Sequence, residues 1–321
     1  MSEGPALRRV VVTGGAGFIG ANLVRHLVET EAAEQVVVLD DLSSGAEANL
    51  AGLSRTELLI GSVLDDIALT QACRGADAVV HLAARPSVPK SVEEPLASNE
   101  VNAAGTLKVL EAARAAGGLH TIVASSAAVY GPNPAQPKQE ELAPEPVSPY
   151  AASKLASEAY CRAYAACYGL PVLPFRFFNV FGPLQTVDHV YAAVIPAFID
   201  AAVHGRPLMV HGDGAQTRDF VFVGTVCALL IDALRRGVTS AAPVNLAFGS
   251  RRTLLELIAT LESVVGRELD VEHTAPRPGD VRDSQADQRR LLALFPDARP
   301  TPFDEALRTT VEWYAQLNLR T

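Results

Sequence analysis

The feature that most constrains the fold of this chain is a glycine-rich turn between a short apolar run and a helical pattern. The run is Val10–Thr13, and the turn Gly14–Gly20 follows with the sequence Gly-Gly-Ala-Gly-Phe-Ile-Gly. Glycines there allow a tight turn and let a pyrophosphate approach the backbone, while the following helix start offers unpaired N–H groups. A glycine pattern alone is weak evidence, but its place between a strand and a helix is the one that a dinucleotide site requires.

From residue 9 to about residue 176, short β-branched runs alternate with amphipathic stretches. The strand candidates are Val10–Thr13, Gln35–Asp40, Glu57–Ile60, Ala78–Leu82, Thr121–Ser126 and Pro171–Phe177. Helical patterns follow most of them, as at Asn22–Glu29, Val101–Ala115 and Pro149–Cys167. This alternation predicts an α/β fold with a Rossmann-like, doubly wound parallel sheet, whose ligands bind at the carboxyl ends of the strands.

The pattern becomes less regular after about residue 180. Helices are predicted at Val194–Val203, Gly224–Arg235 and Thr253–Gly266, between segments rich in proline and glycine. We therefore predict two units: residues 1–177 as the dinucleotide-binding domain, and residues 178–321 as a smaller C-terminal lobe that mainly binds substrate. We expect the chain to cross back to the sheet within the second unit.

The composition argues against several classes of partner. The formal net charge is −9 at pH 7, whereas binding to nucleic acid or to an anionic membrane requires a basic surface. No apolar run is long enough to span a bilayer, and Met1–Arg9 is too short for the apolar core of a secretion signal. The four cysteines show neither metal-ligand spacing nor a disulfide framework. We therefore predict a cytoplasmic protein with no metal, no nucleic-acid partner and no membrane segment.

Asp40 closes the second strand candidate, twenty residues after Gly20. A carboxylate at this point accepts hydrogen bonds from both ribose hydroxyls of adenosine and repels a 2′-phosphate. No arginine stands beside Asp40 to reverse that preference. The sequence therefore predicts NAD rather than NADP, and a carboxylate that merely caps the following loop is the alternative.

Tyr150 and Lys154 are four residues apart at the start of a strong helical pattern, so both side chains lie on one helix face. Tyrosine is a poor base near neutral pH because its reference pKa is about 10. A neighbouring ammonium group and a positive nicotinamide ring would stabilise the phenolate and lower that pKa. Ser125 and Ser126 end a strand candidate and bring a hydroxyl to the same sheet edge. Tyr-x-x-x-Lys alone is common on helix surfaces, but with the glycine turn and Asp40 it indicates a catalytic triad.

Four segments together carry a resemblance to a known family: Thr13–Gly20, Asn102–Thr106, Ser125–Gly131 and Tyr150–Lys154. Over nearly its whole length the chain resembles the extended short-chain dehydrogenases/reductases, in the branch of NAD-dependent sugar epimerases and dehydratases. The resemblance implies tightly held NAD, a homodimer joined through two helices of each subunit, and a UDP-sugar substrate that is oxidised at C4.

The resemblance also implies the roles of individual residues. Ser126 and Tyr150 would be catalytic, and Lys154 would position both the cofactor and the tyrosine. The residues expected to bind NAD are Gly14, Gly17, Phe18, Ile19, Gly20, Asp40, Asp41, Ser43, Leu82, Ala83, Ala84, Asn102, Ser125, Tyr150, Lys154 and Phe177. The residues expected to bind the nucleotide sugar are Ser87, Ser126, Asn179, Ala193, Val194, His211, Arg218, Arg277, Asp280 and Ser284.

Within the second set, Asn179 resembles the family asparagine that binds the UDP diphosphate. Arg218 and Arg277 resemble the two arginine sites for diphosphate and ribose, and guanidinium groups suit a diphosphate in both charge and geometry. His211 falls where the family places a ring against uracil. For either arginine taken singly, a surface salt bridge is the alternative.

Two reactions remain open after oxidation at C4. An epimerase returns the hydride to the opposite face of the sugar, whereas a dehydratase removes the C5 proton and expels the C6 oxygen, which requires a further acid and base. The family's 4,6-dehydratases carry an acidic pair just after the strand-end hydroxyl, where this chain has Ala127 and Ala128. Epimerisation is therefore favoured. The alternative is a UDP-N-acetylhexosamine dehydratase (5,6- or 4,6-dehydratase) that passes through the same 4-keto intermediate, with Glu140 and Glu141 as the candidate acids.

The predicted substrate is UDP-GlcNAc. Ser87, Ala193 and Ser284 resemble the residues around the sugar in UDP-GlcNAc 4-epimerases, and a small Ser284 leaves room for a C2 acetamido group. UDP-glucose would also fit. UDP-glucuronate is disfavoured because Thr186 lies where some UDP-glucuronate epimerases have an arginine for the C6 carboxylate. A catalytically silent NAD-binding regulator is a further alternative, although such proteins usually lose the tyrosine or lysine that this chain retains.

Overall fold

A computed structural model describes residues 7–186, 193–276 and 282–318 of the protein. Its strands are β1 Leu7–Thr13, β2 Ala33–Asp40, β3 Thr56–Ile60, β4 Ala78–His81, β5 His120–Ser126, β6 Val172–Phe177, β7 Asn179–Phe181, β8 Leu208–His211, β9 Thr217–Arg218, β10 Phe220–Phe222, β11 Val244–Leu246, β12 Arg252–Thr253 and β13 Val271–Thr274. Seven of them form a parallel sheet in the order β11-β6-β5-β4-β1-β2-β3. The connections change direction between β1 and β4, where such sheets bind ligands.

The helices cover the sheet and build a separate lobe. They are α1 Phe18–Glu29, α2 Asp66–Cys73, α3 Val88–Glu93, α4 Pro95–Asn99, α5 Gly105–Ala115, α6 Pro149–Tyr168, α7 Val194–Val203, α8 Val223–Arg236, α9 Leu254–Val265, α10 Arg289–Leu294 and α11 Phe303–Asn318. None of the helices in the described ranges is both long enough and apolar enough to cross a membrane.

Alternate residues of the central strands pack on opposite faces of the sheet, as their period of two requires. Val10 and Val12 of β1 belong to a core shared with α1 and α8. Val11, between them, belongs to a second core shared with α2, α5 and α6. Burial of each such side chain contributes about 1.5–3 kcal/mol. Both faces of the sheet are therefore covered, which confirms the doubly wound α/β class.

A third core lies in the smaller lobe and joins α7, α9 and α11 to β8. Two-stranded pairs surround it: β7 with β10, β9 with β12, and β8 with β13. Between these pieces the chain returns to the main sheet, because β11 pairs with β6. Residues after 178 therefore supply both an outer strand of the sheet and the lobe, and the division of the chain at residue 177 stays a prediction.

Candidate active site

The turn between β1 and α1 has two positions that only glycine fits. Gly14 has φ of +69°, and a Cβ there would lie 2.6 Å from the backbone nitrogen of Ala83, just after β4. A Cβ on Gly20 would lie 2.1 Å from the carbonyl oxygen of Gly14. Gly17 precedes α1 and provides no side-chain cap. In the first turn of α1, the N–H groups of Phe18, Ile19 and Gly20 have no intrahelical acceptor. Such unpaired N–H groups at a helix start bind phosphate groups.

Asp40 ends β2, and two backbone N–H groups orient its buried carboxylate. Oδ2 accepts from Ala16 N (2.9 Å) and Oδ1 accepts from Leu42 N (2.9 Å). Each carboxylate oxygen has a second lone pair with which it could accept from a ribose hydroxyl. Asp41 and Ser43 follow on the exposed loop, where the Asp41 carboxylate accepts from Ser43 N.

A buried hydrogen-bonded chain that we did not predict joins β1, β4 and α5. Thr13 Oγ1 accepts from Ala83 N (3.3 Å) and lies 2.7 Å from His81 Nδ1. His81 Nε2 lies 3.0 Å from Thr106 Oγ1, which donates to the carbonyl oxygen of Asn102. Burial, followed by the charge of Lys154, lowers the pKa of His81 to about 3. The imidazole is therefore neutral, accepting at Nδ1 and donating from Nε2.

Asn102 lies in a π-helical turn, Glu100–Ala104, immediately before α5. Its Oδ1 accepts from Arg85 N (2.8 Å), and its Nδ2 donates to Ser153 Oγ (3.0 Å). Ser153 in turn donates to the carbonyl oxygen of Tyr150. Asn102 thus fixes the segment that follows β4, which carries the predicted cofactor residues Leu82, Ala83 and Ala84, against the start of α6. Its own contact with NAD stays a prediction.

Tyr150 lies in the first turn of α6, and Ser148 caps that helix. Ser91 also holds the turn, because its Oγ accepts from Tyr150 N (3.1 Å). One turn later, Lys154 is buried and its Nζ donates to the carbonyl oxygen of Ala124 in β5 (2.9 Å). The helix therefore brings both residues to the carboxyl edge of the sheet, as their spacing predicts.

Burial affects the two residues in opposite directions. It raises the pKa of Tyr150, an effect that the Ser126 hydroxyl opposes. It lowers the pKa of Lys154 to about 8, because a buried ammonium group loses hydration. Ser126 Oγ accepts from Ala128 N (3.1 Å), which leaves its own proton available for donation. The pKa of Tyr150 is therefore shifted upward, opposite to the lowering expected from a neighbouring ammonium group.

Ser125, predicted to bind NAD, has a different side-chain partner in the structure. Its Oγ donates to Glu158 Oε1 (2.6 Å) of α6. Glu158 also forms a bidentate ion pair with Arg176 of β6, at 2.8 and 2.7 Å. This buried group joins β5, β6 and α6. Phe177, beside Arg176, is buried at the end of β6, and the cofactor contacts of Ser125 and Phe177 stay predictions.

Glu140 and Glu141, the candidate acids for an elimination, make contacts elsewhere. Glu140 is buried, and its Oε1 accepts from Asn245 N (2.9 Å) at β11. Glu141 forms an ion pair with Arg290. Neither contact involves Ser126, Tyr150 or Lys154. The two carboxylates therefore have structural partners in the described part of the chain.

The predicted substrate residues lie on several separate segments. Ser87 caps α3, and the neighbouring pair Ala193 and Val194 marks the start of α7. His211 ends β8 and is hydrogen-bonded through Nδ1 to Thr274 Oγ1 (2.7 Å). Arg277 and Asp280 lie outside the described residues.

The remaining predicted substrate residues lie close together. Arg218 in β9 donates to the carbonyl oxygens of Thr217 and Arg282. Two residues after Arg282, Ser284 is half-buried and donates its N–H to Thr217 O (3.2 Å). Asn179 at the start of β7 donates from Nδ2 to the carbonyl oxygen of Asp219, the neighbour of Arg218 (3.2 Å). Asn179, Arg218 and the segment with Ser284 therefore share one set of hydrogen bonds.

The residues present fit NAD. Gly17 leaves the start of α1 open, since a Cβ there would meet only the Gly14 carbonyl oxygen, at 3.3 Å. That helix start would hold the diphosphate, Asp40 the adenosine ribose, and the segment after β4 the remainder. When bound, NAD supplies the acceptor and donor of hydride.

We expect Asp40→Ala to weaken binding of NAD by about tenfold or more, because hydrogen bonds to a charged partner are lost. Binding of NADP should change less, since the carboxylate no longer repels the 2′-phosphate. The measurement is the dissociation constant of each cofactor by fluorescence or calorimetry, with Glu34→Ala, an exposed carboxylate on the same strand, as the control. Equal affinity of the unaltered protein for NAD and NADP would contradict the role of Asp40.

Known proteins are similar to this chain in sequence and in fold. A profile of the NAD dependent epimerase/dehydratase family matches residues 10–247. The UDP-glucose 4-epimerase of Mycolicibacterium smegmatis is 36% identical over 95% of this chain and 98% of its own. The structure of a UDP-N-acetylglucosamine 4-epimerase from Methanobrevibacter ruminantium M1, in complex with UDP-N-acetylmuramic acid, superposes with a TM-score of 0.91. That structure is 36% identical and covers 98% of this chain and 100% of its own.

A dehydratase is also similar. The dTDP-glucose 4,6-dehydratase DesIV from Streptomyces venezuelae, with NAD and TYD bound, superposes with a TM-score of 0.87. It is 34% identical and covers 96% of this chain and 97% of its own. With the glycine turn, Asp40 and the Tyr150–Lys154 pair in place, these similarities establish that the chain is an enzyme of the NAD-dependent epimerase/dehydratase family, with NAD as its cofactor and a nucleotide sugar as its substrate.

Proposed function

We propose that the enzyme is a UDP-N-acetylglucosamine 4-epimerase. The observation that carries the choice of epimerase is the pair Ala127 and Ala128 directly after Ser126, because neither side chain can act as the acid or base of an elimination. The contacts of Glu140 with Asn245, and of Glu141 with Arg290, add support.

In the proposed reaction, Tyr150 as a phenolate takes the proton of the C4 hydroxyl while the C4 hydride leaves the sugar. Lys154 keeps the phenolate stable, and Ser126 donates a hydrogen bond to the C4 oxygen. The 4-keto sugar then rotates in the pocket so that its opposite face receives the hydride. Tyr150 returns the proton to the C4 oxygen. Each atom removed from C4 is thus restored, and no proton leaves C5.

The proposed sugar is an N-acetylhexosamine because the residue in the position that limits the pocket is small. Ser284 is half-buried and lies between Asp283 and Gln285. Both neighbours are held by the side chain of Gln136: its Nε2 donates to Asp283 O (2.6 Å), and its Oε1 accepts from Gln285 N (3.2 Å). Because hydrogen bonds hold both neighbours of Ser284, the small serine side chain keeps its position and leaves space for a C2 acetamido group. Similarity to the UDP-GlcNAc and UDP-glucose 4-epimerases supports a UDP-sugar.

We also propose that two subunits associate as a homodimer through α6 and the helices α3 and α4 that pack against it. Val92 on α3 and Leu96 on α4 are exposed by 64% and 84%, and both helices pack against α6. An apolar surface of this kind is typical of an interface between subunits.

The product of the reaction tests the choice of epimerase. After incubation with UDP-GlcNAc in D₂O, NMR should show the C4 epimer with its C6 oxygen retained and with no deuterium at C5. Catalysis by Tyr150 alone predicts this result, since no group removes the C5 proton. Deuterium at C5, or loss of the C6 oxygen, would instead identify a dehydratase.

Ser284→Tyr tests the choice of sugar. The larger side chain should reduce kcat/KM for UDP-GlcNAc by at least about 100-fold, a size expected when a buried group is excluded by steric overlap. Any turnover of UDP-glucose should be spared. Ser284→Ala, which keeps the volume free, serves as the matched control and should retain both activities. A tyrosine variant that handles both sugars as before would show that Ser284 does not limit the pocket.

A further inference from the structure

Asp219 is a buried carboxylate that the proposed mechanism does not use. It has no exposed surface and lies between β9 and β10, directly after Arg218. Its Oδ1 accepts from Ser250 N (3.1 Å) and Ser250 Oγ (2.8 Å), and its Oδ2 accepts from Ala286 N (3.0 Å). The carboxylate therefore ties together two segments that are far apart in the sequence.

The main chain of Asp219 ties in a third segment. Its carbonyl oxygen accepts from Asn179 N (3.3 Å) and from Asn179 Nδ2 (3.2 Å). One residue thus contacts the start of β7, the turn before β12 and the segment that carries Ser284, and it is bonded covalently to Arg218. The first, third and last of these carry the proposed substrate contacts.

The chemistry of the group indicates that these bonds matter. Removal of a carboxylate from water is unfavourable unless hydrogen bonds replace hydration. Burial raises the pKa of Asp219 to about 6, while the bonds from Ala286 and Ser250 oppose that rise. A neutral asparagine would fill the same space without that penalty, but its Nδ2 cannot accept a hydrogen bond, so it could not accept from both Ser250 and Ala286.

We propose that Asp219 is a positioning residue for the nucleotide sugar, holding Asn179, Arg218 and the Ser284 segment at the spacing that the diphosphate and the sugar require. This inference rests on the proposed function, because the substrate contacts of those three residues belong to it. An adjacent bond supports it: Thr217 Oγ1 donates to Asp283 Oδ1 (2.5 Å), so β9 holds the Ser284 segment from a second point.

The test is binding of UDP to the NAD-loaded enzyme by calorimetry, with Asp219→Asn as the variant. The amide of asparagine has the same shape as the carboxylate, but its NH₂ group would face a hydrogen-bond donor, either Ser250 or the Ala286 N–H. We expect the dissociation constant of UDP to rise by about tenfold or more, as for loss of a hydrogen bond to a charged group. The amount of bound NAD should stay unchanged and kcat at saturating substrate should stay within about threefold, which a general loss of structure would not allow.

Two further variants make the test decisive. Ser250→Ala removes one donor to Asp219 and should raise the dissociation constant of UDP about threefold, so it decides the matter if Asp219→Asn does not fold. Asp287→Asn alters another buried carboxylate, whose side chain contacts Arg289, and should leave UDP binding unchanged.

Three outcomes would overturn the proposal. If the dissociation constants of UDP for Asp219→Asn and Ser250→Ala both stay within twofold of wild type, Asp219 has no positioning role, and the proposed function is unaffected. Parallel losses of NAD content and kcat would assign it a general structural role instead. Failure of the wild-type enzyme to bind UDP would contradict both this proposal and the proposed function.

Discussion

The close approach of the β1–α1 turn to the end of β4 is the constraint on which the site depends. Gly14 reaches the backbone of Ala83 so closely that no Cβ fits between them. Beside this contact, Thr13 bridges Ala83 N and the imidazole of His81. The two strands on either side of the topological switch are thereby joined where the cofactor belongs. A larger side chain at Gly14 would separate them and open the crevice.

From that contact, hydrogen-bonded polar groups extend to α6, the helix that carries Tyr150 and Lys154. His81 connects through Thr106 to Asn102, and Asn102 connects through Ser153 to the carbonyl oxygen of Tyr150. Burial keeps His81 neutral, so this series of hydrogen bonds keeps one arrangement of donors and acceptors throughout the neutral pH range. The cofactor crevice and the tyrosine are consequently fixed to each other by hydrogen bonds as well as by packing.

The sequence was most informative where the signal is local. The strands β1 to β6 and the helix α6 follow from apolar periodicity and from turn residues, and the Tyr150–Lys154 pair follows from helical spacing. Strand β11 was not predicted, because its three residues have no periodicity to read and their place depends on pairing with β6. Helix α11 was also missed, although its apolar face completes the core of the smaller lobe.

The partners of polar side chains were the least predictable feature. Ser125 stands at a strand end like Ser126, yet packing directs it to Glu158. Glu140 and Glu141 lie in the loop before Tyr150, but their partners are 105 and 149 positions away in the sequence. Asp219 directly follows Arg218, and only the folded chain brings Ser250 and Ala286 to its carboxylate. Contacts of this range depend on tertiary structure and leave no local pattern.

The central claim is that Tyr150, supported by Lys154, is the base at C4, and its most direct test is sugar-dependent reduction of bound NAD. The measurement is the near-ultraviolet absorbance of NADH after rapid mixing with UDP-GlcNAc. Tyr150→Phe should lower the rate by about 10²- to 10⁴-fold, the usual contribution of a general base, while Tyr160→Phe on the same helix should have no effect. A Tyr150→Phe rate within about threefold of wild type would show that another group removes the proton.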